Sequence, residues 1–404
     1  MRGVETPEAL LASRRIVVCV GTGGVGKTTT AAAIALQAAR LGRRALVLTI
    51  DPARRLADAL GVGALGNEPR AIARPVLAGL GVPPEGSLSA MMLDMKRTFD
   101  DLVQRFAESP EARERILQNR IYQHVSDALA GSAEYSAMEK VYELSGSGRF
   151  DLLVVDTPPS QHALDFLEAP ARLLEFLDSR LVHLLLHPAL AAGRFGFRIF
   201  QRGARQVLRL IERVSGLAFL EDVSEFLLAF EGMAAGFQER ARGVRALLLG
   251  PEAGFVLTAG PARTSAEQAE TLLQRLEAAG VPLAGIVVNR MRVWPEPAGP
   301  PSRLPAGDPE AAVASLAAAL AAREGPAFAA QEAARAAIVA VNEYAAGVRR
   351  DAEAVEPLRA RARARGCFFR RVPELERDVH DLAGLDRIAR HVFGDTELEA
   401  THGR

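Results

Sequence analysis

The chain is poor in cysteine, balanced in charge and without a long apolar run. Each shortage removes a class of protein. The two cysteines, Cys19 and Cys367, lie in strand-like runs with no cysteine or histidine at ligand spacing. That argues against structural zinc, an iron–sulfur cluster and a disulfide framework, and suits a reducing cytoplasm. Lys plus Arg and Asp plus Glu number 49 each, so no global field draws the chain to nucleic acid or to a membrane. No apolar run approaches the ~20 residues that span a bilayer. The closest, Leu181 to Ala192, is broken by His183, His187 and Pro188. The first residues, MRGVETPEALLASRR, are too polar for a signal peptide. A cytoplasmic protein, or one peripheral at a membrane, is the expectation.

What is present is ample length and ordered alternation. The 404 residues are 49% hydrophobic and 24% charged, an ordinary globular composition. Short apolar runs at Arg15–Val20, Arg44–Ile50, Leu152–Val155, Gly254–Thr258, Leu283–Val288 and Cys367–Val372 alternate with helical patterns. They read as buried parallel strands of a doubly wound α/β fold, a mostly parallel sheet with helices on both faces. Two segments, about 95–145 and 165–250, carry helical spacing and no strand signal. Phe99, Leu102 and Phe106 mark the first; Phe226, Phe230, Met233 and Phe237 mark the second. They predict a helical subdomain inserted into one large domain spanning 1–404. A Pro/Gly-rich stretch at 294–309 predicts a surface loop, and about 310–365 a helical region before the last strand.

The chemistry starts at GTGGVGKT, residues 21–28, which fits the phosphate-loop pattern G-x-x-x-x-G-K-[ST]. In Gly21-Thr22-Gly23-Gly24-Val25-Gly26-Lys27-Thr28-Thr29 the glycines let main-chain N–H groups point at phosphate oxygens. The helix that follows adds its positive end. Lys27 is placed to reach the β- and γ-phosphates, and the Thr28 hydroxyl to ligate Mg²⁺. The second strand ends in Thr49-Ile50-Asp51-Pro52-Ala53, and the third, FDLLVVDTPPS, ends on Asp156. Ligands of open parallel sheets sit beyond such strand ends, so Asp51 and Asp156 are predicted to converge on the phosphates. A carboxylate there holds Mg²⁺ or orients a water; taken alone, each is equally a helix cap or turn residue.

Together these stretches resemble the ArsA/Get3 family, the arsenite-pump and tail-anchored-protein-targeting ATPases, whose phosphate loop usually reads G-K-G-G-V-G-K-T. Thr49-Ile50-Asp51-Pro52-Ala53-x-x-Leu56-x-Asp58 resembles its switch I. Asp156-Thr157-Pro158-Pro159-x-x-His162 resembles its switch II, and Val287-Val288-Asn289 the strand end where an Asn reads adenine. Val372-Pro373-Glu374-Leu375 resembles a late loop flanking the base. The resemblance implies ATP and Mg²⁺ as cofactors and a dimer that opens and closes. It also implies Asp51 as the residue orienting the hydrolytic water, and Asn289 and Pro373 in the adenine site. Family members carry a second lysine where this chain has Thr22, and that lysine reaches the partner's phosphates. A cation delivered in trans is worth ~10³–10⁵ in phosphoryl transfer. Thr22 brings no charge, so the expectations are slow hydrolysis as a homodimer, a paralogous partner that keeps the lysine, or substitution by Arg263.

The cysteines needed for metalloid binding, for the dimer zinc of the targeting members and for a bridging iron–sulfur cluster are missing. The region 194–213 spaces six arginines at helical steps, Arg194 to Arg213. A solvated arginine face and a stripe that meets an anionic membrane or partner both stay open. The RARARAR run at 359–365 reads as a solvated face. Three functional readings remain beside the ATPase switch with a hydrophobic or membrane-associated client. They are a non-catalytic nucleotide-binding subunit, a positioning ATPase acting on DNA or membrane, and a small-molecule kinase.

Overall fold

A strand apolar on both faces needs a helix layer on each, and the run before the phosphate loop is such a strand. In the computed structural model, which describes residues 5–50, 55–107, 109–119, 122, 132–158, 236, 239–294, 309–324 and 329–394, it lies inside an eight-stranded sheet. The first elements are α1 (Pro7–Ser13), β1 (Ile16–Gly21), α2 (Lys27–Arg40), β2 (Arg44–Thr49) and α3 (Arg55–Ala59). Next come β3 (Arg70–Ala71), α4 (Arg74–Gly79), β4 (Ser87–Met92), α5 (Met95–Phe106), α6 (Pro110–Gln118), α7 (Ser132–Gly146) and β5 (Leu152–Asp156). After a helical stretch at 239–249 follow β6 (Ala253–Ala259), α8 (Arg263–Ala278), β7 (Leu283–Met291), α9 (Pro309–Glu324), α10 (Ala330–Arg365), β8 (Phe368–Pro373) and α11 (Leu382–Phe393).

The strand order is β3-β4-β2-β5-β1-β6-β7-β8, parallel throughout except for the short β3–β4 pair at one edge. The two faces of β1 show why it is double-sided. Ile16, Val18 and Val20 enter a core with Met138 and Val141 of α7, Leu272 and Leu276 of α8, and Leu358 of α10. Val17 and Cys19 face the other way, into a core with α2 and with Leu385 and Ile388 of α11. The period of two is that of a pleated strand. In α2, Ala31, Ala32, Ala33, Ala35, Ala38 and Ala39 are all buried, and side chains this small let the helix lie close on the sheet.

All six strands expected from the sequence are present, with bounds shifted by at most three residues. Two more were not expected. β3 is two residues long, and β4 reads SLSAMM, without a β-branched residue to signal it. The segment 95–145 carries helices α5, α6 and α7 among its described residues, and α9 and α10 fill the predicted helical region. One expectation is corrected. Residues 359–365 are not simply a solvated face, because Ala362 is fully buried. Arg361 and Arg365 both reach Glu277 of α8, at 3.4 and 2.6 Å, tying α10 to α8. The 194–213 arginines, the Phe226/Phe230/Met233/Phe237 pattern and most of 294–309 and 165–250 lie outside the described residues.

Candidate functional site

Four adjacent strand ends, those of β2, β5, β1 and β6, build the site. The register sets Gly21 of β1 beside Thr258 of β6, and Asp156 of β5 beside both Thr49 of β2 and Cys19 of β1. Glycine at 21 answers a close approach: a Cβ there would stand 2.1 Å from the Thr258 carbonyl oxygen. Gly26, the N-cap residue just before α2, has φ +91°, and a Cβ on it would stand 2.2 Å from Asn289 Nδ2. A larger residue at 21 would collide with the backbone of β6, and one at 26 would displace the Asn289 carboxamide and strain a left-handed turn.

Lys27 opens α2, is buried, and donates from Nζ to the Thr22 carbonyl at 2.9 Å. Its ammonium thus closes the loop on itself, at a point where a phosphate oxygen is a stronger, charged acceptor. Thr28 Oγ1 donates to Asp156 Oδ2 at 2.6 Å, and Thr49 Oγ1 donates to the same oxygen at 2.9 Å. Asp156 is 1% exposed. Thr157 Oγ1 donates to the Cys19 carbonyl at 2.8 Å, pinning the chain where it leaves β5. Burial, and then the nearby Asp156 carboxylate, push the Cys19 thiol well above its ordinary pKa, so it stays protonated beneath the loop. The hydroxyl of Thr28 and the carboxylate of Asp156 are hard oxygen donors in contact, a donor set that fits Mg²⁺. Bound there with a nucleotide, the ion would neutralise charge on the phosphates.

A cleft of about 580 Å³ opens over these groups. Gly24, Gly26, Lys27, Thr28 and Thr29 of the loop and α2, with Asp58 and Thr157, line it together with Asn289, Arg290, Pro373, Leu375 and Asp378. Asn289 and Pro373, far apart in sequence, thus meet across the ends of β7 and β8. The Asn289 carboxamide braces the loop: Nδ2 donates to the Val25 carbonyl at 3.0 Å, and Oδ1 accepts from the Arg290 N–H at 3.0 Å.

Beyond the loop lies a smaller cavity of about 330 Å³, lined by Thr22, Gly23, Gly24, Gly260, Pro261 and Ser265 among others. Thr22 is buried, its hydroxyl 3.4 Å from that of Ser265, which also accepts from the Gly260 N–H at 3.0 Å. Arg263 stands at the start of α8, 86% exposed, and pairs with Glu267 at 3.0 Å. It lines neither cavity within this chain. Asp51, Pro52, Ala53, Pro159 and His162 lie outside the described residues, while Pro158 follows Thr157 off β5. Among the described residues there is no cluster of His, Cys, Asp or Glu able to hold a metal, and no helix long and apolar enough to cross a membrane. Ser265, Arg290 and Asp378 escape sequence reasoning, and none has a signal in its own segment.

A phosphate loop between a central parallel strand and an alanine-rich helix, with an acid at the neighbouring strand end, defines a phosphate-loop nucleoside triphosphatase. Within that class, the sequence model of the anion-transporting ATPases (ArsA ATPase) matches residues 14–302, and the chain belongs to that family. ATP hydrolysis is the reaction that membership assigns to it. Curated relatives include "ATPase get3" of Schizosaccharomyces japonicus, 28% identical over 278 residues, 68% of this chain and 74% of the relative. "ATPase get3" of Neurospora crassa is 26% identical over 287 residues, 70% of this chain and 75% of the relative.

Proposed function

We propose that the chain is a Mg²⁺-dependent ATP-driven switch of the cytoplasm. It works as a dimer, and nucleotide state moves a helical subdomain, formed by about 95–145 and 165–250, that holds a hydrophobic or membrane-associated client. What carries the reading is the contact of Thr28 with Asp156 at 2.6 Å, directly beside the phosphate loop and under the cleft. Lys27 leaves the Thr22 carbonyl for the β- and γ-phosphates. Thr28 and Asp156 hold the metal, with Asp51 at the next strand end orienting the attacking water. Asn289 and Pro373 flank the adenine. Loss of the terminal phosphoryl frees the segments after Asp51 and Asp156, and the helices they lead into follow. Of the described helices of that subdomain, α7 precedes β5 and packs on it through Met138 and Val141, against the strand whose far end carries Asp156. ATP turnover with and without Mg²⁺ tests the reading: metal-dependent release of phosphate is expected, and phosphate release unaffected by chelation would overturn it.

A second reading follows from Thr22, which is neutral and turned in toward Ser265. In a mixed dimer with a paralogue that keeps the lysine, the partner's cation reaches this chain's phosphates, while Thr22 returns none. This chain would then hold the faster site and the paralogue the slower one. Thr22→Lys is the test. It is expected to raise turnover of the protein alone, and unchanged turnover, with ATP still bound, would remove the missing cation as the explanation.

A further inference from the structure

Among the described residues other than glycine, Arg290 alone has a left-handed backbone, at φ +61°. A side chain with a Cβ is uncommon there, and such conformations persist where the surroundings impose them. The Asn289 side chain caps this turn, its Oδ1 accepting from the Arg290 N–H at 3.0 Å. The turn aims Arg290 along the rim of the cleft, where Nη2 stands 3.3 Å from Asp378 Oδ1 in the segment between β8 and α11. Both partners are largely exposed, 56% and 71%, so this ion pair holds weakly and exchanges readily. Arg290 also lines both cavities, sharing that position with Gly24, Val25's neighbour in the loop, and with Asn289. It is therefore the cation on the wall between the nucleotide cleft and the space beside Thr22.

We propose that Arg290 is a further nucleotide-binding residue whose guanidinium Asp378 holds at the rim until a polyphosphate in the loop takes it over. A guanidinium offers paired donors to phosphate oxygens, and a polyphosphate carries more charge than one exposed carboxylate. The site thereby gains, within one chain, a positive charge that Thr22 does not supply. This rests on the reading of the cleft as an ATP site.

Calorimetric titration of the full chain with AMP, ADP and ATP in Mg²⁺ tests it. Arg290→Gly keeps the left-handed turn at no steric cost, and Arg290→Gln keeps the side chain's bulk. Both are expected to weaken ATP by about tenfold, ADP by less and AMP hardly at all, the scale of one lost charged hydrogen bond. Asp378→Asn, which releases the guanidinium, is expected to tighten ATP about two- to threefold, the scale of an exposed ion pair. ATP affinity unchanged in both Arg290 variants, or a loss equal for AMP and ATP, would overturn the proposal while leaving the ATP site standing. So would weaker ATP binding by Asp378→Asn. Wild-type protein that binds no ATP would overturn both.

Discussion

Two carboxylates in this molecule are equally buried and differently met. Asp156 and Glu139 are each 1% exposed. Asp156 ends β5 beneath the phosphate loop, and two hydroxyls donate to its Oδ2. Glu139 sits in α7, on the core side of the sheet that also takes in the 239–249 helix. There it is clasped by Arg240, with Arg105 at 3.8 Å. Arg240 in turn lies over the rings of Phe106 and Tyr142, 5.6 and 5.0 Å from their centroids. A carboxylate met by guanidiniums on aromatic faces is a fixed structural joint, since removing either partner strands a buried charge. A carboxylate met by hydroxyls can trade those protons for a metal, because hydroxyl oxygens are themselves ligands. Equal burial therefore does not mean equal role; the chemistry of the partner decides.

The sharpest way to break that contrast is to neutralise each acid. Asp156→Asn still accepts from Thr28 and Thr49, so melting is expected to stay close to wild type. Turnover should fall on the order of 10²–10³, the scale of one lost electrostatic group in an active site. A large loss of thermal stability with turnover kept would reverse the assignment. Glu139→Ala should do the opposite, costing about 3–5 kcal/mol in denaturant unfolding while nucleotide affinity holds. Asn289→Ala removes the brace on Val25 and is expected to weaken ATP about fivefold by equilibrium dialysis, the scale of one net hydrogen bond. Affinity unchanged would mean that the loop holds its shape without it.

The smallest effect belongs to an acid at the opposite end of β5. The Arg44 side chain donates to Asp151 and holds its pKa down at about 2. A carboxyl with a lowered folded pKa stabilises fully above its ordinary value, and the gain is lost as pH falls toward about 2. Asp151→Asn should thus change little in turnover and should flatten the acid side of the stability curve between the ordinary carboxylate range and that value. An unchanged acid limb would mean that the pair does nothing for the fold.

The legible parts of the molecule were those where backbone demand and residue type coincide. Glycines 21, 24 and 26, Lys27 and Thr28 announce a loop that has to wrap an anion, and Asp156 closes an unbroken apolar run. The buried strands were readable because parallel strands covered on both faces are apolar throughout. β4 was not, because SLSAMM is buried through its middle yet holds no β-branched or aromatic residue. The bracing of Val25 by Asn289 and the pairing of Arg290 with Asp378 join segments 264 and 88 residues apart, and no local pattern carries such distances. The arginines at 361 and 365 misled for the same reason: their acid, Glu277, is on another helix.

The central claim is that main-chain amides around Lys27 grip a triphosphate whose metal sits between Thr28 and Asp156. A crystal structure with Mg²⁺ and a non-hydrolysable ATP analogue tests it most directly. The account predicts Lys27 Nζ off the Thr22 carbonyl and on the terminal phosphates, with the ion on Thr28 Oγ1. An analogue bound elsewhere, with Lys27 still closing its own loop, would contradict it.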